Sequence, residues 1–134
     1  VAVAAVFVWL GMVLAISFLE APLKFRAPGI TLQLGLGIGR LVFRALNTCE
    51  AVLAAVIAAA LFPDLPSVAV GSAFLVAVAA LMFQVLVVRP ALTRRSNAVL
   101  RGDPGPRSRA HHVYVVLEAV KVVGLSVTGI LLLT

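Results

Sequence analysis

Charge is scarce in this chain. Only 12% of its 134 residues are Asp, Glu, Lys or Arg, about half the ~25% usual for soluble domains. With 63% of residues hydrophobic and a mean hydropathy of +1.17, there is too little polar surface to cover a core in water. That excludes a soluble globular protein. The one cysteine, Cys49, excludes an internal disulfide. No aromatic residue occurs in the basic stretch Arg89 to Arg109, so a nucleic-acid surface there is excluded as well. The first apolar run has no basic residues before it, and Glu20-Ala21-Pro22 after it is not a small-residue cleavage site. Both features argue against a signal peptide. The chain opens at Val1, inside an apolar run and without Met, so the N-terminus of the full protein is expected further upstream.

What is present is four apolar runs, each near the roughly 20 residues that a bilayer-crossing helix needs. They cover Val1 to Leu19, Leu41 to Phe62, Pro66 to Val88 and His112 to Thr134. Their apolar character is continuous, whereas barrel strands alternate over about 10 residues, so helices are expected. The fold expectation is all-α: a single integral membrane domain over 1–134, built as a four-helix up-and-down bundle. No sequence repeat is evident. Two basic connections, 20–40 and 89–111, contrast with Pro63-Asp64-Leu65-Pro66-Ser67, which has no Lys or Arg. The positive-inside rule puts the basic connections in the cytoplasm and both termini outside. The net charge of +6 is then a topology signal, with anionic lipid headgroups as the natural contact of these loops.

Pro22, Pro28 and Gly29 turn the chain after the first run. The following stretch Ile30 to Arg40 is too short to cross alone and reads as an interfacial or re-entrant lead-in. Its Gly35, Gly37 and Gly39 do not make a phosphate loop, because no preceding strand or βαβ unit accompanies them. Gly35 and Gly39 suit the close approach of another helix instead.

An α-helix advances about 100° per residue, and on that wheel the polar residues of the spans form stripes. In the fourth span His111, Tyr114, Glu118 and Lys121 fall within an arc of roughly 80°. In the second, Arg40, Arg44, Asn47 and Glu50 fall within roughly 120°. Gln84 is the one strongly polar residue of the third span, and Glu20 closes the first. At about 1.5 Å per residue from the cytoplasmic boundary, Glu50 and Glu118 lie roughly 10 Å deep and Lys121 roughly 14 Å, with Gln84 about 6 Å from its own end. The polar side chains therefore gather in the cytoplasmic half, under an outer layer of Ala, Val, Leu and Ile.

Charged groups at mid-membrane cost about 2.5–3.5 kcal/mol each on insertion scales and mark functional sites by default. The candidate ligand site or polar network is Arg40, Arg44, Asn47, Glu50, Gln84, His111, Tyr114, Glu118 and Lys121. Because Arg40, Arg44 and Lys121 outnumber the nearest carboxylates, the leading expectation is a cytoplasm-facing pocket that binds or carries a small anionic or amphipathic ligand. Three alternatives stay open. The stripes could be interhelical glue in an accessory subunit of a larger membrane complex or a homo-oligomer. Glu50, Glu118 and His111 could relay protons. Carboxylates with a histidine could also act on a lipid, although no motif supplies a nucleophile. Metal ligation is not expected, since His111 and His112 point about 100° apart and no Cys or third His completes a shell. No cofactor and no catalytic residue is named by these patterns.

Trp9-Leu-Gly-Met12, Phe18-Leu-Glu-Ala-Pro-Leu-Lys-Phe25 and Arg89-Pro90 resemble small four-helix bacterial membrane proteins of unknown function, the CopD-like and transmembrane-protein-205-like bundles. These share W-x-G early in the first span and a basic exit from the third. The resemblance implies the bundle and a location in a bacterial cytoplasmic membrane, and it carries over no functional residue. Copper-importing relatives would offer spans rich in Met and His, whereas this chain has only Met12, Met82 and the two histidines at one edge.

Overall fold

The computed structural model describes residues 1–101 and 109–134, apart from the side chains at 96, 99, 100 and 109–111. Among the described residues there is no strand. Helix α1 spans Ala2–Lys24, α2 Leu32–Leu61, α3 residues 68–100 and α4 Arg109–Leu133. All four are long and apolar enough to cross a membrane.

Local chemistry sets where the helices start. Gly29, at φ 81°, makes the turn after α1, a conformation that costs glycine little. Thr31 then caps α2, its hydroxyl accepting from the Leu34 amide at 3.1 Å, and Ser67 caps α3 by accepting from Val70 at 3.3 Å. Such caps satisfy amides that have no carbonyl partner in the first turn. The connection between α2 and α3 is short and carries Pro63 and Pro66, so these helices run antiparallel.

Two helices widen along their length. In α1 the segment Leu14–Glu20 is π-helical, and in α3 the segment Gln84–Val88 is. Each ends two residues before a proline, Pro22 or Pro90. A proline has no N–H to donate, and its ring collides with the carbonyl four residues back. Phe18 and Leu86 supply those carbonyls, and both sit inside the widened turns, which relieve the collision.

Helix α4 packs most extensively on α3 and next on α1, while α1 also packs along α2. Val6, Trp9 and Val13 of α1, Ile57 of α2, Phe74, Ala77 and Leu81 of α3 and Leu125 of α4 form the apolar core. Large apolar side chains such as Leu41, Val68, Leu75, Leu86 and Val123 are exposed on the outer faces. Helices α3 and α4 approach closely at Gly124, where an added Cβ would lie 3.2 Å from the Ala73 carbonyl oxygen and 3.5 Å from the Ala77 Cβ.

Three expectations change. Ile30 to Arg40 is no separate lead-in, because α2 runs unbroken from Leu32. Its 30 residues make a rod about 45 Å long, longer than a hydrocarbon core of roughly 30 Å. Likewise, much of the two basic connections is helical, over Ala21–Lys24, the first turns of α2, and Arg89–Leu100. Gly35 and Gly39 receive the preceding turn rather than another helix: the Phe25 ring lies over Gly35 and the Lys24 ammonium over Gly39.

The two helix pairs also share a partial correspondence. A shift of 68 residues maps Pro22 onto Pro90 and Glu50-Ala51-Val52 onto Glu118-Ala119-Val120. The same shift pairs some of the buried residues: Val6 with Phe74, Trp9 with Ala77, Val13 with Leu81, Leu46 with Tyr114, Ile57 with Leu125. Helices α1–α2 and α3–α4 thus each have a widened turn, a proline and a buried glutamate at matching positions.

The glycine contacts give a direct check on the packing. Gly124→Val is expected to lower stability by about 1–3 kcal/mol, the usual cost of overpacking a close contact. Gly11, with nothing within 4 Å of an added Cβ, should accept alanine with a gain of about 0.5–1 kcal/mol. Thermal unfolding of the two variants in detergent measures both.

Candidate polar site

The buried glutamates of the two hairpins face a single lysine. Lys121 of α4 donates to Glu50 Oε2 of α2 at 2.6 Å and lies 2.5 Å from Glu118 Oε1, one turn back on its own helix. All three side chains are buried to within 2% of complete burial. Charges taken out of water cost several kcal/mol each unless paired and hydrogen-bonded, and the surrounding helices supply the remaining bonds. Trp9 Nε1 of α1 donates to Glu50 Oε2 at 2.8 Å. Gln84 Nε2 of α3 donates to Glu118 Oε1 at 2.7 Å and to the Tyr114 carbonyl at 3.3 Å. Ser17 of α1 donates to Glu118 Oε2. Every helix of the bundle thus contributes to one network.

The widened turns place two of these donors. Ser17 lies in the π-helical stretch of α1, and Gln84 opens that of α3. A π turn displaces the residues it contains around the helix axis relative to an α-helix, so both side chains reach the same carboxylate from opposite flanks.

Of the residues expected from the sequence, Asn47, Glu50, Gln84, Tyr114, Glu118 and Lys121 are all buried. Glu50, Gln84, Tyr114, Glu118 and Lys121 are joined in the network, Tyr114 through its carbonyl. Asn47 shares the α2 face of Glu50, three residues away. The Tyr114 ring meets Phe43 edge-on at 5.5 Å between centroids. Arg40 and Arg44 are not brought in, and both are exposed. Arg40 instead donates to Asn97 Oδ1 at 2.5 Å and to the Thr93 carbonyl at 3.4 Å, tying α2 to the far end of α3. The side chain of His111 lies outside the described residues, and His112 is exposed.

Sequence reasoning missed Trp9 and Ser17, having assigned the first span only Glu20. The signal was there. Ala5, Trp9, Val13 and Ser17 follow steps of four and so share a face. A buried indole also needs a partner for its N–H.

In the long α2, Glu50 sits about 16 Å along the helix from Leu61, and Trp9 about 10 Å from Ala2. The network thus lies more than one turn inside both helices. Two surface grooves, one bounded by Val1, Val3 and Val56 and the other by Val76, Val120 and Val127, are apolar and include no residue of the network.

Two carboxylates share one ammonium, so the fully ionised triad carries one excess negative charge. Because Lys121 Nζ is within hydrogen-bond reach of both, one proton can pass between Glu50 and Glu118 through it with little side-chain movement. Among the described residues, no three of His, Cys, Asp and Glu gather as a metal site would require. No family model matches the chain, and no curated protein or solved structure is significantly similar to it.

The charge count predicts an unusual pattern in variants. Lys121→Met leaves two buried carboxylates without their cation and is expected to cost about 3–5 kcal/mol. Adding Glu118→Gln restores the original net charge and should recover most of that loss. Chemical unfolding of the single and double variants in detergent gives the comparison.

Proposed function

We propose that this chain is a multi-pass membrane protein, with both termini outside and both basic connections in the cytoplasm, whose polar core binds a proton and hands it on. One observation carries the reading: two buried carboxylates within 2.6 Å of a single ammonium. In a low-dielectric interior an unbalanced charge is costly, and one bound proton removes the imbalance. Arginines that would favour an anionic ligand are exposed, which moves the proposed ligand from an anion to a proton.

Access is proposed from the cytoplasmic side. Ser17, a donor to Glu118, and Glu20, three residues further along α1, lie toward that end, whereas Val6, Ile57, Phe74 and Leu125 pack the opposite one. A hydroxyl that both donates and accepts is suited to passing a proton to the carboxylate beside it.

A second reading is favoured by the way the network ties all four helices together. In it, the triad is a structural clasp and the chain serves as a membrane-embedded subunit of a larger assembly. Buried ion networks specify packing in some proteins without adding much stability.

Trp9 separates the two, because it is the only tryptophan and bonds directly to Glu50. In purified protein its emission is expected to show a one-proton transition on pH titration, matched by uptake of one proton per chain. Glu118→Gln, whose triad is neutral without a proton, should stay folded and lose both signals. Flat emission and no uptake in folded wild-type protein would leave only the clasp.

A further inference from the structure

The two carboxylates of the triad differ in what surrounds them. Glu50 takes both of its bonds on one oxygen: Lys121 Nζ at 2.6 Å and Trp9 Nε1 at 2.8 Å donate to Oε2. Its Oε1 is buried with no hydrogen-bond partner among the described residues. Glu118 is engaged on both oxygens. Gln84 Nε2 at 2.7 Å and Lys121 Nζ at 2.5 Å meet Oε1, and the Ser17 hydroxyl meets Oε2.

A proton bound by a buried carboxyl has two requirements. The oxygen that takes it must not face a donor, and the new O–H needs an acceptor. Ammonium, indole N–H and amide NH2 groups only donate, whereas a serine hydroxyl donates or accepts as it rotates. A proton on Glu50 Oε2 or on Glu118 Oε1 would therefore set hydrogen against hydrogen. On Glu50 Oε1 it would have no bonded group to receive it. On Glu118 Oε2 it meets Ser17, and the other bonds persist, because Oε1 becomes the carbonyl oxygen and still accepts from Gln84 and Lys121.

We propose that the bound proton rests on Glu118 Oε2 and is donated to Ser17 Oγ, while Glu50 stays ionised against Lys121. This placement rests on the proton-binding reading and names the atom that carries it out. The step balances with no further reactant. A proton arrives from water, the Oε2–H bond forms, and the Ser17 hydroxyl turns from donor to acceptor. Its own hydrogen goes to a carbonyl of the preceding turn, a bond that serine hydroxyls in helices readily make. Ser17 is thus a positioning residue, brought to Glu118 from the widened turn of α1.

Infrared spectroscopy of purified protein in detergent, titrated through the one-proton transition, tests the placement. Glu118→Gln holds no proton whichever carboxylate binds it in the wild type, so the protonated-carboxyl C=O band missing from that variant is the one to follow. Donating the O–H to a partner lowers this stretch, and so does accepting a bond at the carbonyl oxygen. Ser17→Ala is expected to move the band to higher frequency, and Ser17→Thr, which keeps a hydroxyl, to restore it. Trp9→Phe, which removes a bond to Glu50 only, should leave the band in place. If Ser17→Ala leaves the band unmoved, or Trp9→Phe shifts it, the placement on Glu118 is overturned and proton binding stands. If folded wild-type protein shows no such band at any pH, the proton-binding reading falls and the placement with it. Should Ser17→Ala fail to fold, the comparison with Trp9→Phe decides alone.

Discussion

The bundle is organised around one ammonium held between two carboxylates. Lys121 lies on α4, yet its partners come from α2 and from its own preceding turn. Those partners in turn engage Trp9 and Ser17 on α1 and Gln84 on α3. A charged group in an apolar interior tolerates little displacement of its partners, so this contact fixes the rotation of each helix about its axis. Apolar packing alone would do so weakly, because the faces of these helices are Ala, Val and Leu nearly all round. Helix-to-helix attraction within lipid also lacks the hydrophobic driving force available in water.

The prolines support this arrangement from a distance. Pro22 stands near the end of α1 and Pro90 ten residues before the end of α3, and the widened turns before them carry Ser17 and Gln84. Backbone geometry demanded by a missing N–H is thereby converted into side-chain placement. An uninterrupted α-helix would carry the following residues at a different angle around the axis.

Much of this was legible in the residues. Long apolar runs specify the helices, and the spacing of Tyr114, Glu118 and Lys121 puts them on one face, as that of Asn47 and Glu50 does on α2. The face stripe misled at Arg40 and Arg44, because angular position says nothing of height. Arg40 is ten residues from Glu50, about 15 Å along the helix, and it finds Asn97 and Thr93 there instead. Trp9 and Ser17 escaped because one counts as hydrophobic and the other as small. The π turns have no local residue signature beyond the proline that follows, so the exact angle at which Gln84 projects could not be read at all.

The 68-residue correspondence between hairpins bears on the charge itself. Were the bundle assembled from two identical hairpins, symmetry would put every residue in it an even number of times. Two glutamates could then be matched by no lysine or by two, with net charge of two or zero. Here the position equivalent to Lys121 is Leu53, which packs against the apolar core. Covalent joining of the halves is what permits an odd count. A core with a single unit of unbalanced charge is open only to a chain whose two halves differ.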